Sequence, residues 1–537
     1  MATTTHHIEH VDHIPAEDLI TDPKRQRWIL IAMIVSLVAV ISSVSGLNVA
    51  QQDLALDLGA SQSQLLWVIN GYTIALAALL LPIGAIGDRW GRKHILLAGL
   101  TVFALANVGA ALSTTVEMLL IARVIAGIGA AMIMPVTLSI ITSTFPEEDR
   151  ARAIGIWSGF AGAGGILGLF VSSFMIDYFT WPWLFAMPIT FAVVGLALSL
   201  RYVVNTREDH GGRFDVFGSF LSALAIGAIV LGIHEGPEAG WTSPLAATGI
   251  LVSVVSFAVF IWHELRIEHP LFDIRLFRNR SLAAGSLNLF LVFAVMFGIF
   301  LVLIQFLQAV LGFSALKASA GLLPMAAMMM PLSSVAPTLA KKFGTTRVLI
   351  TGSLIFGLGL VLLATMVSVE GGYLSLLPGL MVFGVGVGLL MSPSTAAITE
   401  ALPAEKQGVA SALNDTVREL GGALGIALLG SLINSGYRSS VSSATEGLSP
   451  ELAHQVEDGI GSALAAGPKL GADGPAILDA AREALVEGWQ HAMWFGVGLS
   501  AIGLVFLIVR GPRDNDTDTD DNADADLHVG DLEPANA

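Results

Sequence analysis

The chain has 537 residues, 54% of them hydrophobic and only 13% charged, with no cysteine and a formal net charge of −16. Soluble globular proteins carry about 25% charged residues, so this composition excludes an ordinary soluble protein. A sequence without cysteine also excludes disulfide frameworks, thiolate zinc sites and cysteine nucleophiles. The excess of acidic residues argues against nucleic acid as a partner. The four histidines of the polar amino-terminal tail are interpreted as solvated residues, and no metal site is predicted.

Apolar runs recur along the whole chain. A helix that crosses the hydrocarbon core of a bilayer needs about 20 mostly apolar residues. Fourteen runs of this kind predict an all-α polytopic membrane protein with fourteen transmembrane helices. The predicted spans are 28–50, 64–86, 95–112, 118–141, 152–174, 183–204, 216–234, 244–265, 282–306, 317–340, 348–369, 374–398, 407–433 and 488–510.

Basic residues are distributed unevenly between the two sides that these spans define. If the even-numbered loops face the cytoplasm, 21 of the 27 lysines and arginines lie on the inner side and four on the outer side. Cytoplasmic loops of membrane proteins are enriched in lysine and arginine. The distribution therefore predicts that both termini are cytoplasmic.

The two parts of the chain repeat each other. Residues 87–99 match residues 340–352 at a shift of 253, and residues 145–168 match residues 402–425 at a shift of 257. Two nearly equal shifts indicate a parallel duplication, in which helices 1–6 correspond to helices 9–14. Helices 7 and 8 are inserted between the halves. Parallel halves with a substrate site at their interface are a known transporter plan.

This organisation predicts five regions. The first is a cytoplasmic tail over 1–27, followed by a six-helix half over 28–204 and by two inserted helices with their linkers over 205–281. A second six-helix half occupies 282–510, and an acidic cytoplasmic tail occupies 511–537. Within the second half, residues 434–487 are predicted to lie outside the membrane. Apolar residues at helical spacing predict short amphipathic helices there that cap the outer face: Leu452, Val456, Ile460 and Leu464.

Three motifs carry a family resemblance. Residues 84–93, GAIGDRWGRK, resemble the loop signature between helices 2 and 3 of the major facilitator superfamily. Arg123, followed by Gly127 and Gly129, resembles the helix 4 signature of that superfamily. Residues 305–314, QFLQAVLGFS, resemble the fourteen-helix drug:proton antiporter branch, which includes QacA-type multidrug exporters.

The resemblance implies a secondary transporter rather than an enzyme. It implies export of small lipophilic compounds or drugs by alternating access, coupled to protons, from a bacterial-type cytoplasmic (inner) membrane. The expected partners are this substrate, protons and membrane lipid, with a monomeric chain and no cofactor. Two alternatives stay open: a dedicated exporter of one endogenous metabolite, lipid or cell-envelope precursor, and a non-transporting receptor or scaffold.

The loop after helix 2 is the predicted conformational switch. Glycines permit close backbone approach, and a carboxylate can bind cations or amides. The resemblance implies that the loop holds the two halves together on the cytoplasmic side, whereas the alternative is a basic loop that only sets topology. The switch residues are Gly84, Asp88, Arg89, Gly91, Arg92 and Lys93.

Ionisable residues inside the membrane mark the predicted proton pathway, because an unpaired charge there is costly. Arg123 lies in helix 4 and is interpreted either as part of a relay or as an arginine that snorkels to the helix end. In helix 13, Asp415 and Glu419 share one face at i and i+4, with Arg418 beside them. These two acids are predicted to couple transport to protons, and the alternative is a satisfied cluster that only fixes helix 13.

Polar and aromatic residues on the helices that line the site in this superfamily are the predicted substrate contacts. Ser43 and Asn70 stand where the resemblance places acids in helices 1 and 2, and Leu169 replaces a proline of helix 5. These departures favour a neutral or zwitterionic lipophile over a cationic drug. The candidates are Ser43, Asn48, Asn70, Tyr72, Trp157, Asn288, Phe293, Met296, Phe297, Phe300, Gln305 and Gln308.

Overall fold

The computed structural model describes residues 19–207, 214–403 and 406–512, and the predicted tails lie largely outside these ranges. Within the described residues, fourteen helices are long and apolar enough to cross a membrane, which confirms the predicted number. They are α1 (Pro23–Val49), α2 (Gln62–Trp90), α3 (Arg92–Ala111), α4 (Val116–Thr144), α5 (Glu147–Tyr178), α6 (Ala186–Tyr202), α7 (Val216–Ala239), α8 (Pro244–Glu264), α9 (Arg280–Gln305), α10 (Leu323–Phe343), α11 (Thr345–Thr365), α12 (Gly372–Thr399), α13 (Gln407–Val441) and α14 (Gly474–Arg510).

Short polar segments start many of these helices. Asp22 precedes Pro23 at the start of α1, and its carboxylate accepts a hydrogen bond from the Lys24 amide at 3.0 Å. At the start of α2, Ser61 and Gln64 form a reciprocal capping box. These side chains satisfy amide groups that have no partner in the first turn. In the interior of a helix the backbone amides and carbonyls bond to one another, which a bilayer requires of a segment that crosses it.

The duplication read from the sequence is visible in the helix packing. In the first half, α1 packs on α5, α3 on α4 and α2 on α4. The equivalent pairs of the second half, α9 with α13, α11 with α12 and α10 with α12, are also in extensive contact. Gly91 and Gly344 occupy equivalent turns, with φ of 104° and 88°. The predicted architecture of two parallel six-helix halves with two inserted helices is therefore confirmed.

The two halves meet along two seams. At the first seam α2 packs against α13, and at the second seam α5 packs against α10. The inserted helix α7 contacts both α2 and α13, and α8 packs on α7. The inserted pair, called the hairpin below, therefore lies alongside the first seam.

Helices α13 and α14 extend into the predicted outer segment. Helix α13 continues to Val441 and α14 already begins at Gly474, so both helices are longer than the predicted membrane spans 407–433 and 488–510. Hydropathy reports only the apolar stretch, whereas a helix can continue beyond the membrane surface. The predicted short helices are present at Pro450–Glu457 and Ile460–Ala466, where Val456 and Ile460 are buried.

Candidate functional site

The loop between α2 and α3 is built around a buried ion pair. Asp88 and Arg92 are each 1% exposed. The Arg92 Nε and Nη2 atoms donate to Asp88 Oδ1 at 3.0 and 2.7 Å. Gly91 makes the turn between the helices with a positive φ, a conformation that costs glycine little. The turn thus places Arg92 directly against the carboxylate.

The same carboxylate reaches across to the other half. The Gly408 amide donates to Asp88 Oδ1 at 2.8 Å, and the Val409 amide donates to Oδ2 at 3.1 Å. Helix α13 receives no side-chain cap from its own N-cap residue, Lys406. Asp88 therefore supplies the cap of α13 from the first half, where both the free amides and the helix dipole favour a negative charge. We call this contact the latch.

Glycines allow the backbones to meet at the latch. A Cβ atom added to Gly84 would lie 2.4 Å from the Gly408 carbonyl oxygen, and one added to Gly408 would lie 2.4 Å from the Gly84 carbonyl oxygen. Gly408 was not among the predicted switch residues. The sequence gives one indication of this contact. Lys406, at the start of α13, is not a capping residue, so the first amides of the helix need another partner, which the sequence does not identify.

The remaining switch residues lie close by. Lys93 Nζ donates to the Val203 and Leu200 carbonyl oxygens at 2.7 and 3.2 Å, so it binds the end of α6 within the first half. Arg89 is half-buried on the last turn of α2. The structure thus brings Asp88 and Gly84 into contact with the second half. Arg92 reaches that contact only through Asp88, Gly91 lies beside Asn205, and Lys93 is bonded inside the first half.

A second buried charge cluster lies on α13. Asp415 is fully buried, and Arg418 Nη1 lies 3.3 Å from its Oδ1 atom. Asn414 Nδ2 donates to the same oxygen at 3.2 Å. Among the described residues, the other oxygen, Oδ2, has no hydrogen-bond partner. One carboxylate oxygen is therefore engaged and the other is available.

Arg418 connects this cluster to the first half. Its guanidinium carbon lies 4.6 Å from the centre of the Phe293 ring and 5.5 Å from the centre of the Trp157 ring. Phe293 belongs to α9, whereas Trp157 belongs to α5 of the other half and donates to Thr137 Oγ1 at 3.2 Å. Aromatic faces attract cations, most strongly where water is excluded. The cation therefore sits between rings from both halves.

The second predicted acid, Glu419, is half-buried. It lies one helical turn after Asp415 and directly follows Arg418 on α13, and its charge acts on Tyr72 of α2. Glu419 and Tyr72 thus interact across the interface between α13 and α2, as expected for a site between the halves.

Arg123 occupies a polar pocket inside the first half. It is 1% exposed, so the snorkelling alternative does not describe it. Its Nη1 atom donates to Ser43 Oγ at 2.8 Å, and its guanidinium carbon lies 4.1 Å from the centre of the Tyr72 ring. Ser43 in turn donates to Asn107 Oδ1 at 3.3 Å. Within the described residues, no carboxylate lies at ion-pair distance from Arg123.

The other predicted substrate contacts are only partly brought together. Phe297 and Phe300 extend a row of rings from Phe293, with centroids 5.8 and 6.3 Å apart. Asn288 is engaged within the second half, where its Nδ2 atom donates to Ser394 Oγ at 2.7 Å. The remaining candidates differ in exposure: Met296 is buried, Asn70 is half-buried, and Gln305 and Gln308 are exposed.

One predicted contact, Asn48, lies outside the residues whose side chains the structure describes. Asn107 was not predicted, although it completes the pocket of Arg123. An asparagine within an apolar helix is a signal that could have identified it, because a buried amide needs hydrogen-bond partners.

Fourteen apolar helices in two repeated halves, with ion clusters buried where the halves meet, define a multi-pass membrane carrier. The family model of the Major Facilitator Superfamily matches residues 31–426. The chain therefore belongs to the Major Facilitator Superfamily of membrane transporters, which confirms the family resemblance and places it in a transporter family rather than an enzyme family.

Similar proteins include named exporters. Multidrug resistance protein Stp of Mycobacterium tuberculosis is 31% identical over 387 residues, which cover 72% of each chain. Multidrug efflux pump LfrA of Mycolicibacterium smegmatis is 32% identical over 466 residues, covering 86% of this chain and 92% of LfrA. The crystal structure of the human organic anion transporter MFSD10 (TETRAN) matches with a TM-score of 0.58 at 14% identity, over 91% of this chain and 100% of that chain. At this identity the structural likeness bears on the fold alone.

Proposed function

We propose that the chain exports small lipophilic compounds by alternating access, in exchange for protons. The similarity to proteins named multidrug resistance and efflux pumps supports the direction and the substrate class. The observation that carries the proposal is the buried pair Asp415–Arg418 on α13, which contacts an aromatic ring of the opposite half. A proton that binds there acts directly on the interface.

The proposed step starts with the latch closed and the opposite end open. A proton binds Asp415 at Oδ2, the oxygen without a partner. The neutral acid no longer compensates Arg418, and an uncompensated buried charge costs about 3–5 kcal/mol. The cation then leaves its place between Phe293 and Trp157, the contact between the halves weakens, and the latch opens. A proton that crosses 100 mV contributes about 2.3 kcal/mol to this cycle.

The test uses purified protein in proteoliposomes with an imposed pH gradient and a fluorescent lipophilic substrate. We expect efflux to follow the gradient in the unmodified protein, and Asp415→Asn and Glu419→Gln each to abolish the coupling. Asp479→Asn is the matched control, because this carboxylate is 69% exposed and pairs only with Arg482 at the surface. Efflux that follows the gradient unchanged in both α13 variants would contradict the proton role.

The pocket of Arg123 bears on the choice of substrate. Because Ser43 rather than an acid faces this arginine, we propose that the transporter prefers neutral or zwitterionic lipophiles to cations. The same feature favours the second candidate function, a dedicated exporter of one endogenous compound. A deletion strain separates the two: sensitivity to many compounds supports multidrug export, and accumulation of one metabolite supports the dedicated role.

We also propose an orientation and a state of assembly. The latch end faces the cytoplasm of a bacterial cytoplasmic membrane, as do both termini, because the basic loops lie on that side. The chain acts as a monomer, with its functional regions divided at residues 28, 205, 282 and 511. Protease accessibility of tags at the two termini in inverted vesicles tests the orientation.

A further inference from the structure

The hairpin of α7 and α8 occupies a particular place beside the transport path. Helix α7 packs against α2 of the first half and α13 of the second half. These two helices form the first seam, which carries the latch at one end and Glu419 further along α13. The hairpin therefore covers the outside of the first seam.

The middle of α7 fills the gap between the two helices. Ile226 and Val230 belong to one apolar cluster with Ala77 of α2 and Leu420 of α13. Val230 and Ala77 are fully buried. Leu420 follows Glu419 in the sequence, so this cluster covers the seam at the turn of α13 that carries the half-buried acid.

A second cluster continues the cover along α13. Ile233 packs with Ala423 and Ala427, which are 6% and 2% exposed. On the α2 side the approach is close, because a Cβ atom added to Gly227 would lie 3.2 Å from Ala78 Cβ. Small residues on α2 and on α13 thus let α7 approach both helices closely. As a result, the apolar side chains of α7 that face the seam are buried.

The outer helix of the hairpin has the opposite character. Helix α8 presents Leu251, Val254 and Val255 at 63%, 60% and 54% exposure. Its inner face approaches α7 through Gly249, where an added Cβ atom would lie 3.1 Å from the Gly232 amide nitrogen. An exposed apolar face on a membrane-spanning helix suits contact with lipid. The hairpin therefore has a lipid-facing layer and a seam-facing layer.

Polar contacts fix the base of the hairpin. His263 Nε2 lies 3.0 Å from Asp215 Oδ1 and joins the two helices. Glu264 Oε2 accepts a hydrogen bond from the Phe272 amide at 3.1 Å. Lys406 Nζ, just before α13, donates to the Pro270 carbonyl oxygen at 3.3 Å. These bonds hold the hairpin to the linker and the linker to the second half.

We propose that the hairpin is a lateral wall of the transport path, which seals the first seam from the bilayer beside Glu419. Lipid chains are excluded from the seam, and protons and substrate use the ends of the bundle. The wall itself follows from packing alone, and only its effect on protons rests on the proposed role of Glu419.

The first test is footprinting of the reconstituted protein with a phospholipid that carries a photoreactive diazirine in its acyl chain. Carbenes insert into the side chains that lipid touches, and mass spectrometry locates the adducts. We expect adducts on the outer face of α8, around Val254, and none on residues 74–78 or 420–427. Adducts on those two segments at the level found on α8 would overturn the proposal without any variant.

The second test opens the wall with Ile226→Ala, Val230→Ala and Ile233→Ala combined. Leu251→Ala, Val254→Ala and Val255→Ala combined form the matched control on the lipid face of α8. Unchanged elution in size-exclusion chromatography and unchanged thermal unfolding show that both variants fold. We then expect at least fivefold more adducts on residues 74–78 and 420–427 in the α7 variant, called the seam variant, and no increase in the control. An unchanged footprint in a folded seam variant would contradict the wall.

A measurement of passive proton entry distinguishes this inference from the proposed function. Passive proton entry into substrate-free proteoliposomes is expected to rise at least fivefold in the seam variant and to return to the basal rate when Glu419→Gln is added. If entry rises but Glu419→Gln leaves it unchanged, the proton role of Glu419 fails while the footprint still supports the wall. If neither the footprint nor proton entry changes, the wall is refuted.

Discussion

Three arginines in the described part of the chain are buried, and their partners differ. Arg92 pairs with a carboxylate that also caps a helix of the other half. Arg418 pairs with a carboxylate and lies near two aromatic rings. Arg123 has a hydroxyl and a ring instead. A buried cation is stable only with such partners, and we propose that the choice of partner determines which of the three responds to a proton and which meets a substrate.

Replacement of Asp88 tests the latch at this scale. Asp88→Asn keeps an oxygen that can accept from an amide, but it loses the charge that binds Arg92 and the start of α13. Removal of one partner from a buried ion pair costs about 3–5 kcal/mol, so we expect the closed state to be depleted. The chain has no cysteine of its own. Val409→Cys, buried at the latch, should then react at least tenfold faster with a water-soluble maleimide.

The control for this experiment is Glu148→Gln, an exposed acid at the start of α5 on the same end of the molecule. It should leave the reaction rate of Val409→Cys unchanged. Equal rates in Asp88→Asn and the parent protein would mean that the carboxylate does not hold the halves together.

Ser43 tests the link between Arg123 and substrate charge. Ser43→Asp places a carboxylate where the hydroxyl now accepts from Arg123 at 2.8 Å. Because the new acid compensates the arginine, we expect the ratio of cationic to neutral substrate transport to rise about tenfold, equivalent to about 1.4 kcal/mol. Initial efflux rates of two fluorescent compounds that differ in charge give this ratio. Ser43→Asn is the neutral control, and an equal rise in that variant would contradict the electrostatic reason.

At the scale of helices, hydropathy predicted the fourteen spans, whereas helix ends and helix partners needed the structure. Helix α14 begins at Gly474 rather than near residue 488, because four charged residues in its first turns lower the hydropathy without ending the helix. The partner of Asp88 could not be predicted either. It consists of two backbone amides, and a backbone amide has no signature in the sequence. The sequence did identify the residue whose carboxylate accepts these hydrogen bonds, Asp88, because it belongs to the loop motif.

Close approach of α2 and α13 gives a prediction for Gly84. Gly84→Ala adds a methyl group that would lie 2.4 Å from the Gly408 carbonyl oxygen, so the helices must separate and the latch must lengthen. Alanine favours a helix over glycine by about 1 kcal/mol, so the helix itself is not weakened. We expect efflux to fall at least tenfold with little change in thermal unfolding. Gly498→Ala on α14, where no atom lies within 4 Å of the added methyl group, should keep full activity.

At the scale of the whole molecule, the duplication relates the two seams. Helices α2 and α13 of the first seam correspond to α10 and α5 of the second. At the first seam a Cβ atom on Gly84 would lie 2.7 Å from Ala412 Cβ. At the second, a Cβ atom on Gly155 would lie 3.2 Å from Pro337 Cγ. The repeat makes these pairs equivalent, but in each pair the glycine belongs to the first half. The sequence predicted the repeat, and only packing revealed which helices meet.

If the halves rock about these seams, a covalent bond across the second seam must stop transport. A Cβ atom on Gly159 would lie 3.5 Å from Ser333 Cβ, within the range of about 3.5–4.5 Å that a disulfide needs. In a chain without other cysteines, Gly159→Cys with Ser333→Cys can form only this bond within one molecule. We expect oxidation to reduce efflux to less than about a tenth and reduction to restore it, because the latch end can no longer open.

The matched control places the bond inside one half. A Cβ atom on Gly109 of α3 would lie 3.9 Å from Ala122 Cβ of α4, so Gly109→Cys with Ala122→Cys can form a disulfide within the first half. Since each half moves as a body in alternating access, this bond should leave efflux unchanged under the same oxidation. Loss of activity in both pairs would indicate motion within a half. Full activity in the oxidised seam pair would show that the second seam stays closed throughout transport, and the halves would then have to separate along α2 and α13 alone.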